Sequence, residues 1–397
     1  MTLSRRITTL TTGGDDGWGL YRRARALKEA GQPIVELTIG EHDVPTDPSI
    51  LSAMDAAARG GHTGYSPIAG SAALREAIAE RVTRTTGAET RAENVLVTPG
   101  GQAALFAAHM AACDPGDRAL FIDPYYATYP GTVRAAGAIP VAVPAPASRG
   151  FVPNPAALAE AAQGARSLLI NTPNNPAGVV YDRAALDGIA RVVTDRGMWL
   201  ISDEVYDAQV WEGAHLSPRA LPGMAERTLV VGSLSKSHAM TGSRLGWVIG
   251  PPDAIAAMID LATHTTYGIP GFVQQAGLYA LRQGPEFEAR IAEPFRRRRE
   301  ITRDLVARQQ AVGLAPMGGA MYAMLDVRAT GLSGSDFAEG LLDAEGVAVM
   351  PGESFGAAAA GHVRVAMTVE DAAYADALGR LLAFAAARAG ARRGAAR

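Results

Sequence analysis

A single cysteine, Cys113, stands in a chain of 397 residues. One thiol cannot close an internal disulfide, which excludes a fold stapled by disulfides. Cys113 lies in an alanine-rich helical stretch and reads as a small buried hydrophobe; a reactive thiol is the rival reading. Aromatic residues are scarce at 6%, and neither sign of charge dominates: 37 basic residues face 40 acidic ones, a net charge of −3. That balance gives no global signal for nucleic acid or an anionic membrane as partner. Long apolar runs are missing too. The longest, "AALFAA" at 103–108 continuing past His109 to Cys113, is too short to span a bilayer. The opening "MTLSRRITTLTTGG" has two arginines and no apolar segment behind them, so no secretory signal is expected. No internal repeat is visible and no metal site is expected. A soluble cytoplasmic protein fits these absences.

What is present is enough for a large core. With 48% hydrophobic residues, a chain of this length is expected to form more than one domain. Short β-rich runs recur at 94–98, 118–122, 139–143, 167–171, 198–202, 228–232 and 246–250. Most are apolar on both faces, which suits buried, mainly parallel strands. Helical stretches such as 101–113 and 182–196 lie between several of them. The pattern predicts an α/β fold: a mainly parallel seven-stranded sheet between helices. After about residue 284 the texture changes. A long polar helix, bent near Pro294, leads into "AMYAMLDV", "SDFAEGLLDAEG", "VAVMP", "HVRVAM" and a last alanine-rich helix. This reads as a smaller α+β domain that borrows "IVELTIG" (34–40) as a strand. The expected division is 1–45 as N-terminal arm and part of the small domain, 46–284 as the large domain, and 285–397 as the C-terminal small domain. The run Arg296–Arg299 reads as a solvated helix face among acidic neighbours such as Glu293 and Glu300; an anion site is the rival. The tail "ARAGARRGAAR" is expected to fray.

Ligands of open parallel sheets bind beyond the carboxyl ends of the strands. Polar segments follow four of the predicted strands there. "PGGQAAL" pairs Gly100 and Gly101 with a helix start, a site for phosphate or an ordinary turn. It is neither a Walker loop nor a dinucleotide fingerprint. "TPNNPAG" makes a rigid loop that presents Asn175. "DEVY" sets Asp203 at a strand end with Tyr206 after it; Asp203 either caps a short turn or pairs with a cation. "SLSKSHAMTGSRLG" carries Lys236 between serines, with Arg244 beyond. Lys236 is either a solvated loop lysine or an amine held neutral for a Schiff base. A fifth segment, "DPYYATYP" (123–130), offers an aromatic face. Pyridoxal phosphate needs all of these at once: a lysine for its aldehyde, donors for its phosphate, a carboxylate for its ring nitrogen, and donors for its phenolic oxygen.

These motifs resemble the class I/II aminotransferases, aspartate-aminotransferase-like enzymes of the fold-type-I pyridoxal-phosphate group, over roughly residues 17–385. The resemblance implies that Lys236 carries the cofactor as an internal aldimine. It implies that Ser233, Ser235 and Arg244 hold the phosphate with Gly100, Gly101 and Gln102. Asp203 would pair with the ring nitrogen, Asn175 and Tyr206 with the phenolic oxygen, and Tyr126 would stack on the ring. Tyr65, in "GYSPIAGS", would reach the phosphate in the other subunit of a homodimer. Gly40 would line the substrate pocket, Asn175 would contribute to it, and Arg364 would grip the substrate carboxylate. The implied reaction is ping-pong transfer of an amino group between an L-amino acid and a 2-oxo acid, with Lys236, Asp203 and Tyr206 as the catalytic groups. A β-eliminating C–S lyase on the same scaffold is the alternative, and a non-catalytic binding protein a distant one. Two departures stand out. His42 replaces the proline of the family's Gly-Glu-Pro-Asp segment, and Ser243 stands where a tryptophan is common before the phosphate arginine.

Overall fold

The computed structural model describes residues 1–11 and 18–395. Twelve strands run in chain order: β1 (Val35–Leu37), β2 (Val95–Thr98), β3 (Arg118–Asp123), β4 (Ile139–Pro144), β5 (Ala165–Asn171), β6 (Trp199–Asp203), β7 (Thr228–Ser233), β8 (Gly246–Ile249), β9 (Gly313–Leu314), β10 (Tyr322–Asp326), β11 (Val347–Pro351) and β12 (His362–Ala366). Seven of them form one sheet in the order β2-β8-β7-β6-β5-β3-β4. β8 pairs antiparallel with both neighbours, and the remaining pairs are parallel.

Alternation explains why this sheet is covered on both faces. Along β3, Leu120 and Ile122 enter one apolar cluster while Ala119 and Phe121 enter another. In β5, Leu168 and Ile170 split from Leu169 in the same way; in β6, Leu200 splits from Ile201. A strand with two buried faces needs apolar side chains at both parities, and these strands have them. The covering helices show their own period. In the helix Arg183–Asp195, Leu186, Ile189, Val192 and Val193 are buried on one side, and the Asp182 carboxylate caps its start through Ala185 N at 2.8 Å.

The second sheet has five strands in the order β1-β11-β12-β10-β9. β1 joins it in parallel, with Val35 opposite Val347, so the N-terminal segment completes a sheet otherwise made after residue 312. The helices Gly334–Glu345 and Asp371–Ala395 supply buried residues to its core. The helix Pro285–Ala307 is continuous, with Pro294 inside it.

One expectation needs correction here. The arginine run is solvated in only half its length: Arg296 and Arg297 are exposed beside Glu293, whereas Arg298 and Arg299 are buried. Arg298 binds the Asp43 carboxylate at 2.6 and 3.0 Å, Asp371 at 2.8 Å and the Met367 carbonyl at 3.0 Å. It ties the long helix to the segment after β1 and to the last helix. Burial is tolerated because the fork is paired on every side. The last helix runs to Ala395, as its alanine content favours, and the final two residues of the tail lie outside the described ones.

Candidate active site

The carboxyl ends of β2, β5, β6 and β7 open on one cavity of about 310 Å³. Strand register sets its floor: Asn171 lies beside Asp203 between β5 and β6, and Ser233 beside Gly246 between β7 and β8. Lys236 follows β7 in the one-turn helix Leu234–Ser237, with Ser233 as its cap. Its ammonium donates to the carbonyl of Gly40. Burial brings the Lys236 amine from 10.5 down to about 8; the Glu41 carboxylate opposes the shift and Arg364 and Arg244 add to it.

Asp203 is buried at the end of β6. It caps no helix. Its Oδ2 accepts from the Tyr129 hydroxyl at 2.7 Å and its Oδ1 from Val205 N at 3.3 Å. Burial raises its carboxyl from 3.8 to about 6, with the Tyr129 hydrogen bond acting against the shift. A carboxylate held dry in this way favours a cation beside it.

At the opposite end, the helix Gly100–Ala112 starts against Arg244. Gly100 has φ of +78°, and a Cβ there would fall 2.2 Å from Nη2 of Arg244, so only glycine lets the guanidinium lie over the helix start. Arg244 itself has φ of +51° and is steadied by its bond to the Thr241 carbonyl at 2.8 Å. Ser233 and Ser235 are joined at 2.9 Å beneath it. Free N–H groups, a guanidinium and two hydroxyls at a helix start suit a phosphate. The side chain of Gln102 turns sideways: its amide donates to Thr132 Oγ1 at 2.6 Å and accepts from Thr128 Oγ1 at 3.1 Å. Its side-chain amide is therefore held by those threonines, although Gln102 still lines the cavity.

Arg364 reaches the cavity from β12 of the other sheet. Asn175 Oδ1 accepts from it at 2.9 Å, and the Thr38 carbonyl accepts as well. The rings of Tyr322 and Phe355 flank the guanidinium, each centroid 4.5 Å away. Because Oδ1 of Asn175 is taken, that amide offers its Nδ2 as a donor. The Tyr206 hydroxyl meets that of Tyr322 at 2.9 Å. Gly40 is required for this closeness, since a Cβ there would lie 1.8 Å from Tyr322 Oη. Tyr126 lines the wall with its ring edge-to-face against Tyr129, at 5.7 Å.

The cavity thus collects Lys236, Asp203, Tyr206, Asn175, Tyr126, Gly101, Gln102, Ser233, Ser235, Arg244, Gly40 and Arg364, with Gly100 beneath Arg244. It does not collect Tyr65, which is 94% exposed and pairs with Tyr267 at 5.3 Å. His42 packs its ring on Phe295 at 5.2 Å, and burial, then Lys236, lowers its imidazole to about 4. Ser243 sits half-buried in the turn Thr241–Ser243 that leads into Arg244. Of the lining residues to which the motif reading gave no role, Tyr129, Tyr322 and Glu41 bear most on the chemistry. Tyr129 lay in a quoted segment, three residues after Tyr126, the spacing that brings side chains onto one face of a turn. Glu41 stood in the segment Gly40–Asp43 that resembles the family's Gly-Glu-Pro-Asp, without a role of its own, and Tyr322 had no local signal.

These donors fit pyridoxal phosphate: a lowered amine, a buried carboxylate awaiting a cation, and an anion cradle at a helix start, all in one cavity. Comparison with known proteins agrees. The model of the family "Aminotransferase class I and II" matches residues 32–381. An arginine–pyruvate transaminase of Pseudomonas aeruginosa is 41% identical, covering 90% of this chain and 91% of its own. An aspartate/prephenate aminotransferase of Thermus thermophilus is 36% identical, covering 93% and 95%. The solved structure of the Thermus thermophilus aspartate aminotransferase with maleate superposes with a TM-score of 0.90, at 35% identity, over 97% of this chain and all of that one. The chain belongs to the class I and II aminotransferases, which use pyridoxal phosphate.

Proposed function

We propose specific roles for the cavity residues in this aminotransferase. Pyridoxal phosphate supplies a conjugated ring that accepts the electron pair left when a proton departs from the donor's Cα. Lys236 would hold the cofactor's aldehyde and, as a free amine, would take that proton on its Nζ. An amine that titrates at about 8 is poised for both tasks at neutral pH. Asp203 keeps a positive charge on the ring nitrogen, oriented by Tyr129. Tyr206 and Asn175 donate to the phenolic oxygen. Arg244, Ser233, Ser235 and the backbone at Gly100, Gly101 and Gln102 hold the phosphate, and Tyr126 covers the ring. Arg364 holds the α-carboxylate of each substrate in turn, a two-pronged task suited to guanidinium. Because one carboxylate site serves both substrates, the first oxo acid must leave before the second binds, which is ping-pong transfer.

The observation that carries these roles is the convergence of Lys236, Asp203 and Arg364 on one cavity from two sheets. We further read the enzyme as a cytoplasmic homodimer in which Tyr65 serves the neighbouring subunit's phosphate; its exposure outside the lining of its own cavity supports this. We keep the division at residues 45 and 284 as our reading of the domains. The relatives' names divide between cationic and dicarboxylic donors, so family membership alone does not choose the donor. The test is a screen of L-amino acids with pyruvate and 2-oxoglutarate as acceptors, following oxo-acid formation. Lys236→Ala is expected to lose both turnover and the visible absorbance of the bound cofactor. Normal turnover in that variant would overturn the assignment.

A further inference from the structure

We propose that Glu41 receives a cationic side chain of the amino donor, so that the enzyme prefers basic L-amino acids to dicarboxylic ones. The inference rests on the roles proposed above. Among the described residues that line the cavity, five side chains carry a formal charge: Glu41, Asp203, Lys236, Arg244 and Arg364. Four are committed. Lys236 bonds the cofactor, Asp203 faces its ring nitrogen, Arg244 holds its phosphate, and Arg364 holds the donor's α-carboxylate. What remains within this protomer for the far end of the donor is one carboxylate and no cation among the described lining residues.

Glu41 is placed for that contact. It follows Gly40 directly, whose carbonyl receives the Lys236 ammonium, so it stands one residue from the reacting amine. Thr241 Oγ1 donates to its Oε1 at 2.9 Å and steadies the side chain. No hydrogen bond engages Oε2 among the described residues, and a guanidinium or ammonium would find that oxygen open. Of the two carboxylates acting on Lys236, Glu41 opposes the effect of its burial more strongly than Asp203 does. A second carboxylate on the donor would meet Glu41 without a counter-ion, which is unfavourable in a half-enclosed cavity. Gln102 does not relieve this, because its amide is neutral and tied to Thr128 and Thr132. Glutamate recurs in the family's Gly-Glu-Pro-Asp segment, so the choice of donor comes from the balance of charge in the cavity and not from Glu41 alone.

The test compares arginine, lysine, leucine, aspartate and glutamate as donors for the holoenzyme and for Glu41→Gln, by kcat/KM. Glu41 is exposed at the cavity mouth, so wild type is expected to favour arginine over glutamate by at least about threefold, and Glu41→Gln to lower the arginine-to-leucine ratio by about threefold, the size of one solvent-screened charge pair. Preference for aspartate or glutamate, or an equal fall for arginine and leucine, would overturn the proposal. A second arm needs no turnover. 5-Guanidinopentanoate, which is arginine without its α-amino group, is expected to raise the melting temperature of wild-type holoenzyme more than hexanoate does, and to lose that advantage in Glu41→Gln. Equal shifts in both proteins would overturn the role of Glu41. Turnover of no donor, with the binding difference intact, would instead sink the catalytic roles and leave the charge match standing.

Discussion

The Tyr129 hydroxyl donates to Oδ2 of Asp203 at 2.7 Å, both groups buried beneath the cavity. This bond orients the carboxylate that faces the ring nitrogen and opposes the rise of its pKa. Tyr129→Phe removes the donor and keeps the ring. The expected result is a folded holoenzyme with kcat reduced about tenfold, the effect of one hydrogen bond to a charged group. Asp203→Ala is expected to keep the cofactor and lose at least about a hundredfold in rate. An unchanged rate in Asp203→Ala would remove its electronic role.

Asp203 and Lys236 together predict how the cofactor-free protein responds to pH. Asp203 rises to about 6 on folding, so its contribution to stability is full below 3.8 and is lost as pH rises through 6. Lys236 falls to about 8, so its contribution is full above 10.5 and is lost as pH falls through 8. Both groups are therefore charged and unfavourably buried between about pH 6 and 8. Asp203→Asn should raise the melting temperature of the cofactor-free protein at pH 7, and the gain should vanish below pH 4. The rate of cofactor loading should climb with an apparent pKa near 8, measured by stopped-flow absorbance.

Arg364 is fixed by Asn175 and Thr38 and flanked by two rings, a setting built for a planar fork. Arg364→Lys keeps the charge and loses the second prong. The expected outcome is a fall of about a hundredfold in kcat/KM for every donor and acceptor alike, since all share the α-carboxylate. A fall confined to one substrate would show that Arg364 reads the side chain instead.

Behind the site, Arg81 is buried between two carboxylates. It binds Asp207, next to Tyr206, at 2.6 and 3.0 Å, and Glu288, at the start of the long helix, at 2.8 and 2.7 Å. Arg81→Met leaves both acids unpaired, a loss of about 3–5 kcal/mol. Thermal unfolding should show a marked drop, partly recovered when Asp207→Asn and Glu288→Gln are added. No recovery would mean that packing, and not charge, makes Arg81 necessary.

Much of this molecule was legible in its sequence because the signals are local. All seven runs read as strands are strands of the large sheet, and "IVELTIG" does join the small one through Val35–Leu37. Period and apolar content suffice for that. The motifs after β2, β5, β6 and β7 converge because a parallel sheet brings its carboxyl ends to one edge. What stayed hidden depends on distant partners. Arg298 looked solvated because Asp43 and Asp371, which neutralise it, are 255 and 73 residues away. Tyr322 meets Tyr206 across 116 residues, and nothing near it in the chain marks it out. The antiparallel course of β8 was likewise invisible, since its apolar run reads the same in either direction.

The central claim is that Lys236 is the residue that bonds the cofactor. Reduction of the holoenzyme with borohydride, followed by peptide mass spectrometry, tests it directly. The account predicts a pyridoxyl phosphate adduct on the peptide that holds Lys236, and no such adduct at Lys28, the chain's other lysine. An adduct at Lys28, or a bound cofactor that yields no lysine adduct, would contradict it.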